Sequence, residues 1–207
     1  MPKIVDPEQR RRDVIAAVFR VVARDGLART SLRSIAEEAG LAIGSVRHYC
    51  GSRQEIRELA IEALSRGLEE RFRRHLEDLT AVRSGELSRR ALAQRALEEL
   101  LPLDAGRRAE TAVWLEFSLA ARTDPDVAPQ VAQLRQGIAE IVRRILAGLD
   151  AAGALRDGVQ LALEADALGA LLDGLAIGGL DPEHLPPQRS RQVLEQHLAG
   201  IMRSDLP

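Results

Sequence analysis

The side chains with the most chemistry to offer sit close together at Gly44, Ser45, Arg47 and His48. An Arg guanidinium can meet a guanine edge through two parallel N–H groups, and a Ser hydroxyl can bond a base edge or a phosphate oxygen. If this stretch is a helix, each residue turns about 100° from the one before it. Ile43, Val46 and Cys50 then fall within one narrow arc, the four residues above fall on the opposite side, and Tyr49 lies on the border. A small surface helix ordinarily spends its outer face on Glu, Lys and Gln. Here that face carries small residues, which allow close approach, beside hydrogen-bond donors. Thr30, Ser31 and Arg33 before it, with Tyr49 and Arg53 after it, add hydroxyls and charges suited to phosphate oxygens. Such contacts fix register and carry no base information.

The elements that must position these groups are legible around them. Leu32, Ile35, Ala36 and Ala39 have helical spacing, with Thr30 or Ser31 available as an N-terminal cap and Gly40 as a left-handed stop. A short helix, a glycine turn and a second helix with one polar face form a helix-turn-helix, whose second helix enters the DNA major groove. An ordinary helical hairpin would share the backbone, so a helical ligand-binding or interaction protein whose hairpin no longer reads DNA stays open as the alternative. Ala42 offers no side-chain cap to the second helix, which costs about 1 kcal/mol. Arg10, Arg11 and Arg12 form a further basic group, equally suited to phosphates or to water.

The rest of the chain predicts an all-α protein of about nine helices. Residues 1–52 are expected to form the helix-turn-helix domain, and residues 53–207 a separate helical domain. Val14, Ile15, Val18, Phe19 and Val22 line a first helix that Gly26 ends. Ala81–Gly85 is a connection between two later helices. Thr111–Ala121 is almost wholly apolar, broken by Glu116 and Ser118, and such a helix is buried or lines a cavity. Trp114, Glu116, Phe117 and Ser118 are therefore candidates for a small-molecule effector site, with ordinary core packing as the competing account. Near the C-terminus, Leu168, Leu171, Leu172 and Leu175 form a stripe. Ala167, Ala170, Gly174 and Gly178 form a face of small residues. With Leu194, Leu198 and Ile201, these two helices are expected to build a dimer interface.

Composition excludes several classes. The chain has 207 residues, 45% of them hydrophobic, which is enough for a sizeable core. It has no run of about 18 apolar residues and no apolar stretch behind the N-terminus, so neither a membrane span nor a signal peptide is expected. With a single cysteine, Cys50, no internal disulfide is available, and a cytoplasmic location is expected. Cys50 on the inner arc is expected to be an inert thiol. His75, His184 and His197 are scattered with no cysteine partner, and no Gly-rich phosphate loop or Ser/His/Asp set stands out. No metal, cofactor or catalytic residue is expected, and the chain is not read as an enzyme. Its net charge is −2, but residues 1–60 hold eleven Lys or Arg against eight Asp or Glu. A basic N-terminal part on an acidic body suits a DNA reader with a separate second role.

Ile15-Ala16-Ala17, Phe19, Gly26, Thr30-Ser31-Leu32, Ile35-Ala36, Ala39-Gly40-Leu41, Gly44, His48-Tyr49 and Arg53 together resemble the TetR family of bacterial transcriptional regulators. The His48-Tyr49 pair looks most like its BetI-type branch. So do Trp114-Leu115-Glu116-Phe117, Arg122-Thr123-Asp124-Pro125, Leu172-Asp173-Gly174-Leu175-Ala176 and Leu185-Pro186-Pro187. Cys50 stands where the family usually has an aromatic, Ala42 where it often has Ser, Arg53 where many members have Lys, and Arg47 where many have Tyr. The resemblance implies a homodimeric repressor that binds a palindromic operator in double-stranded DNA and is released by a small-molecule effector. Two recognition helices must then lie about one DNA turn apart, ~34–36 Å.

Overall fold

The computed structural model describes residues 6–77 and 88–203. Among these, nine α-helices carry the structure: α1 (Pro7–Asp25), α2 (Leu32–Ala39), α3 (Ile43–Arg47), α4 (Arg53–Glu77), α5 (Arg89–Glu98), α6 (Ala105–Ala120), α7 (Ala128–Ala151), α8 (Leu161–Gly178) and α9 (Pro187–Ile201). A single 3-10 turn, Leu27–Arg29, lies between α1 and α2. The expected connection at Ala81–Gly85 lies outside the described residues. The helices fall into two compact units, Met1–Arg66 with Ala112–Val131, and Gly67–Thr111 with Ala132–Pro207. The sequence-based boundary between residues 52 and 53 thus falls inside the first unit.

In the first unit, α1 starts on Asp6, whose carboxylate accepts the Glu8 N–H at 3.0 Å, with Pro7 at the first helical position. Val14, Ala17, Val18, Val21 and Val22 are its buried stripe; the expected Ile15 and Phe19 lie at its margin, half-buried. Each buried valine contributes about 1.5 kcal/mol or more. Ser31 caps α2: its hydroxyl accepts the Ser34 N–H, while the Ser34 side chain accepts the N–H of Ser31. Gly40 ends α2 at φ 65°, ψ 34°, the left-handed conformation that costs a side chain energy. α1 packs on α2, and α2 on α3.

The second unit has its own core, centred on Leu97, Leu101, Leu146, Leu168, Leu194 and Leu198. Asp104 caps the start of α6 by accepting the Arg107 N–H, a bond that holds its carboxyl below the usual carboxylate range. Glu99 gathers Arg71, Arg107 and His75 at 3.2–3.4 Å. Leu155 and Met202 pair as an antiparallel bridge that ties down the chain after α9.

Gly179, just beyond α8, is tightly enclosed. A Cβ there would sit 2.7 Å from Pro102 Cγ and 3.0 Å from the Leu175 carbonyl oxygen, so Gly179→Ala should destabilise the protein by about 1–3 kcal/mol. Gly148, inside α7, faces open space at the same position, and Gly148→Ala should stabilise it by about 0.5–1 kcal/mol. Urea unfolding of the two variants measures both signs; equal midpoints would refute the packing at Gly179.

Candidate nucleic-acid interface

α3 is five residues long, and its orientation is set by what it buries. Val46 and Cys50 are wholly buried, and they turn Gly44, Ser45, Arg47 and His48 to the surface. Arg47 has no ion-pair or hydrogen-bond partner among the described residues, so its guanidinium is available. His48 and Tyr49 meet edge to face with ring centroids 5.2 Å apart, and the half-buried Tyr49 hydroxyl donates to the Pro7 carbonyl at 3.5 Å. Ala42 occupies the N-cap with no side-chain bond to the helix. Burial pushes the Cys50 thiol up, with the Glu55 charge adding to it, so the buried thiol is held protonated.

Two residues behave differently from their sequence pattern. Ile43, expected on the inner arc, is 44% exposed. A helical side chain leans toward the N-terminus of its helix. At the first position of α3, that lean carries Ile43 beyond the surface that Val46 and Cys50 cover. Thr30, expected as a phosphate partner, is only 2% exposed, and its hydroxyl donates to the Gly26 carbonyl at 3.0 Å. The 3-10 turn folds Thr30 back over the end of α1, which withdraws it from the surface.

The remaining candidates lie outside. Ser31 is exposed, and Arg33 is exposed with its guanidinium on Glu37 at 3.0 Å, a surface i,i+4 pair of small worth that a phosphate can displace. Arg53 opens α4, and its side chain lies outside the described part. Of the three N-terminal arginines, Arg11 pairs with Glu62 at 3.3 Å, and Arg12 bonds Gln9 and faces Asp6.

The apolar α6 is less buried than its sequence suggests. Val113 and Phe117 are buried, Trp114, Glu116 and Ser118 are half-buried, and Leu119 is 64% exposed. Glu116 is committed within the first unit: its carboxylate accepts the Leu27 N–H at 2.9 Å, and the same oxygen lies beside Gly26. A second link joins Arg57 of α4 to Asp124, 2.8 Å apart. Sequence periodicity gives no sign of either link. A small cleft in this unit is lined by Gln54, Arg57, Glu58, Ile61, Asp126, Val127 and Gln130, and by none of the four effector candidates.

The proposed dimer residues separate into two groups. Leu175, Leu194 and Leu198 are buried in the core of their own unit. Gly178 is small for an internal reason, since a Cβ there would meet Leu185 Cδ2 at 2.9 Å. Ala167, Ala170 and Gly174 are exposed, and with Leu163 (64% exposed) and Ile177 (58%) they make one apolar stripe along α8 at spacings of four, three, four and three. Leu171 and Ile201 are half-buried and line a shallow groove with Val193, Gln196, His197 and Gly200.

Residues 89–203 match the family described as the BetI-type transcriptional repressor, C-terminal. The chain is 32% identical over 206 residues to the HTH-type transcriptional regulator PksA of Bacillus subtilis, covering 99% of this chain and 96% of the relative. The protein belongs to the TetR family of transcriptional regulators, BetI type. It is also 29% identical over 203 residues to the HTH-type transcriptional regulator BetI of Vibrio campbellii, covering 96% and 94% of the two chains. In fold, this TetR-family chain is similar to a transcriptional regulator from Saccharomonospora viridis solved in complex with choline, with TM-score 0.76 and 23% identity over 95% of this chain and 99% of that one. Among the described residues, no helix of the regulator is long and apolar enough to cross a membrane.

The Glu116 link has a measurable weight. Glu116→Ala leaves the Leu27 amide without its charged acceptor and should cost about 1.5–3 kcal/mol in thermal unfolding, whereas Glu116→Gln keeps a carbonyl acceptor and should recover most of it. Equal losses for the two variants would show that the bond itself contributes nothing.

Proposed function

We propose that this regulator is a homodimeric repressor that binds a palindromic operator through α3 and is released by a small-molecule effector. The single observation that carries the DNA-binding part is the α3 surface. An exposed Arg47, with no partner among the described residues, stands beside exposed Ser45, His48 and Gly44, opposite two fully buried anchors. Arg47, Ser45 and His48 face the base edges, Gly44 lets the backbone come close, and Ser31, Arg33, Tyr49 and Arg53 hold phosphates. Thr30, buried, supports the turn instead.

The α8 stripe supports the dimer. Leu163, Ala167, Ala170, Gly174 and Ile177 present small residues flanked by large ones, a surface against which a second copy of α8 can approach closely, with the Leu171–Ile201 groove beside it. For the effector, Trp114 and Ser118 remain the residues of α6 that a ligand can meet. Phe117 would form a wall from inside, and Glu116 is engaged by Leu27. The Ser118 hydroxyl is buried with no hydrogen-bond partner among the described residues, which favours a ligand that brings a polar group. The solved relative binds choline. An aromatic cage for a quaternary ammonium needs several rings, and this chain has five aromatic residues in all, three Phe, one Trp and one Tyr. Release follows if the effector favours a state in which the two readers no longer match the operator spacing.

In a gel-shift assay at moderate salt, the protein should retard the DNA flanking its own gene over random duplex, and no preference would sink the proposal. Arg47→Ala should weaken that binding by at least ~1 kcal/mol with unfolding unchanged. For the dimer, Gly174→Glu places a charge into open space on the apolar stripe. It should weaken self-association at least about tenfold in analytical ultracentrifugation. An undiminished dimer would remove α8 from the interface.

A further inference from the structure

Among the described residues, Ile43 is the one exposed large aliphatic side chain on the reader surface. The other large hydrophobics found exposed among the described residues are Leu119 on α6 and Leu163 and Ile177 on α8. An isolated aliphatic at the surface is ordinary in itself. Its place is what matters. Ile43 opens α3, next to Gly44, where even an added Cβ would meet nothing within 4 Å, and on the same helix as Ser45, Arg47 and His48. The helix that would enter the major groove therefore leads with a branched apolar group. The major groove edges of the four base pairs offer donors, acceptors and one apolar group, the thymine C5 methyl. Every other exposed side chain from Ser45 to His48 can serve the polar groups, and Ile43 can serve none of them.

We propose that Ile43 is a specificity-determining residue that reads a thymine in each operator half-site by packing against its C5 methyl group. The inference rests on the DNA-reading function proposed above. Arg47 then supplies polar discrimination and Ile43 apolar discrimination from the same short helix. Removing either methyl-bearing partner exposes the other to water in the complex. A thymine-to-cytosine change at that position loses the methyl and presents an amino group to Ile43 in place of a carbonyl oxygen. The site thereby rejects G·C pairs as well as selecting a methyl.

The test begins with the full-length protein selecting its operator from a random duplex pool. Each thymine of the selected half-site is then replaced singly by deoxyuridine, which deletes only the methyl. One position per half-site should weaken wild-type binding about three- to tenfold in fluorescence anisotropy. Ile43→Ala should bind the thymine and deoxyuridine duplexes equally, and Ile43→Thr, which keeps one methyl, should fall between. Thermal unfolding of both variants should match the wild type, because Ile43 lies outside the core; the wild-type deoxyuridine series stands even if a variant folds poorly. Failure to select any motif overturns the DNA-reading proposal together with this one. A selected motif in which no thymine is methyl-sensitive, or an Ile43→Ala protein that keeps the full deoxyuridine effect, overturns the role of Ile43 alone.

Discussion

A five-residue helix has no stability of its own. Nucleating a helix fixes several residues for one hydrogen bond, and isolated helices shorter than about 12–15 residues are marginal in water. α3 lacks even a side-chain cap at Ala42. What holds it is the burial of Val46 and, one turn later, Cys50. Once these two point inward, the 100° step between residues leaves Ser45, Arg47 and His48 no direction but outward. α2, itself packed on α1 with Ile35 and Ala36 buried, gives this small helix a surface to lie on. The direction of the outward side chains is therefore set by residues that do not share their face. A cavity left under Val46 would re-aim Arg47 without touching it.

The parts of this arrangement that were legible in the sequence are the local ones. Gly40 marks a left-handed turn, and a hydroxyl before α2 marks a cap, because each acts within a few residues of itself. Periodicity fails where its assumption fails. It placed Ile43 inward by phase alone, and the first residue of a helix overhangs its start. In the sequence, Thr30 fits a cap or a phosphate partner. The 3-10 turn that brings it to the Gly26 carbonyl has no sequence signature of its own. Along α8 and α9, apolar spacing announced that faces are covered without saying by what. Leu194 and Leu198 are covered by their own unit, whereas Leu163 and Ile177 are left bare by it.

The family membership and the helical architecture were visible because many positions carry them. The role of Glu116 was not, because one position carries it. A lone acid in an apolar helix suggests a charge waiting for a ligand. Its partner is instead a backbone N–H 89 residues earlier, and a backbone amide cannot be recognised by residue type. Arg57 and Asp124, 67 residues apart, are a second case. Both links lie inside the compact unit that contains α3 and that also takes in the start of α4 and the end of α6. The Glu116 carboxylate thus couples α6 to the turn after α1.

Cys50 has a consequence of a different kind. It is the only cysteine in the chain, it lies wholly buried behind α3, and burial keeps its thiol protonated. A thiol reagent reaches it only while the packing behind α3 is open. When reclosing is fast, the labelling rate scales with the fraction of time spent open. The molecule thus carries its own gauge of local opening, placed under the short helix proposed to read the operator.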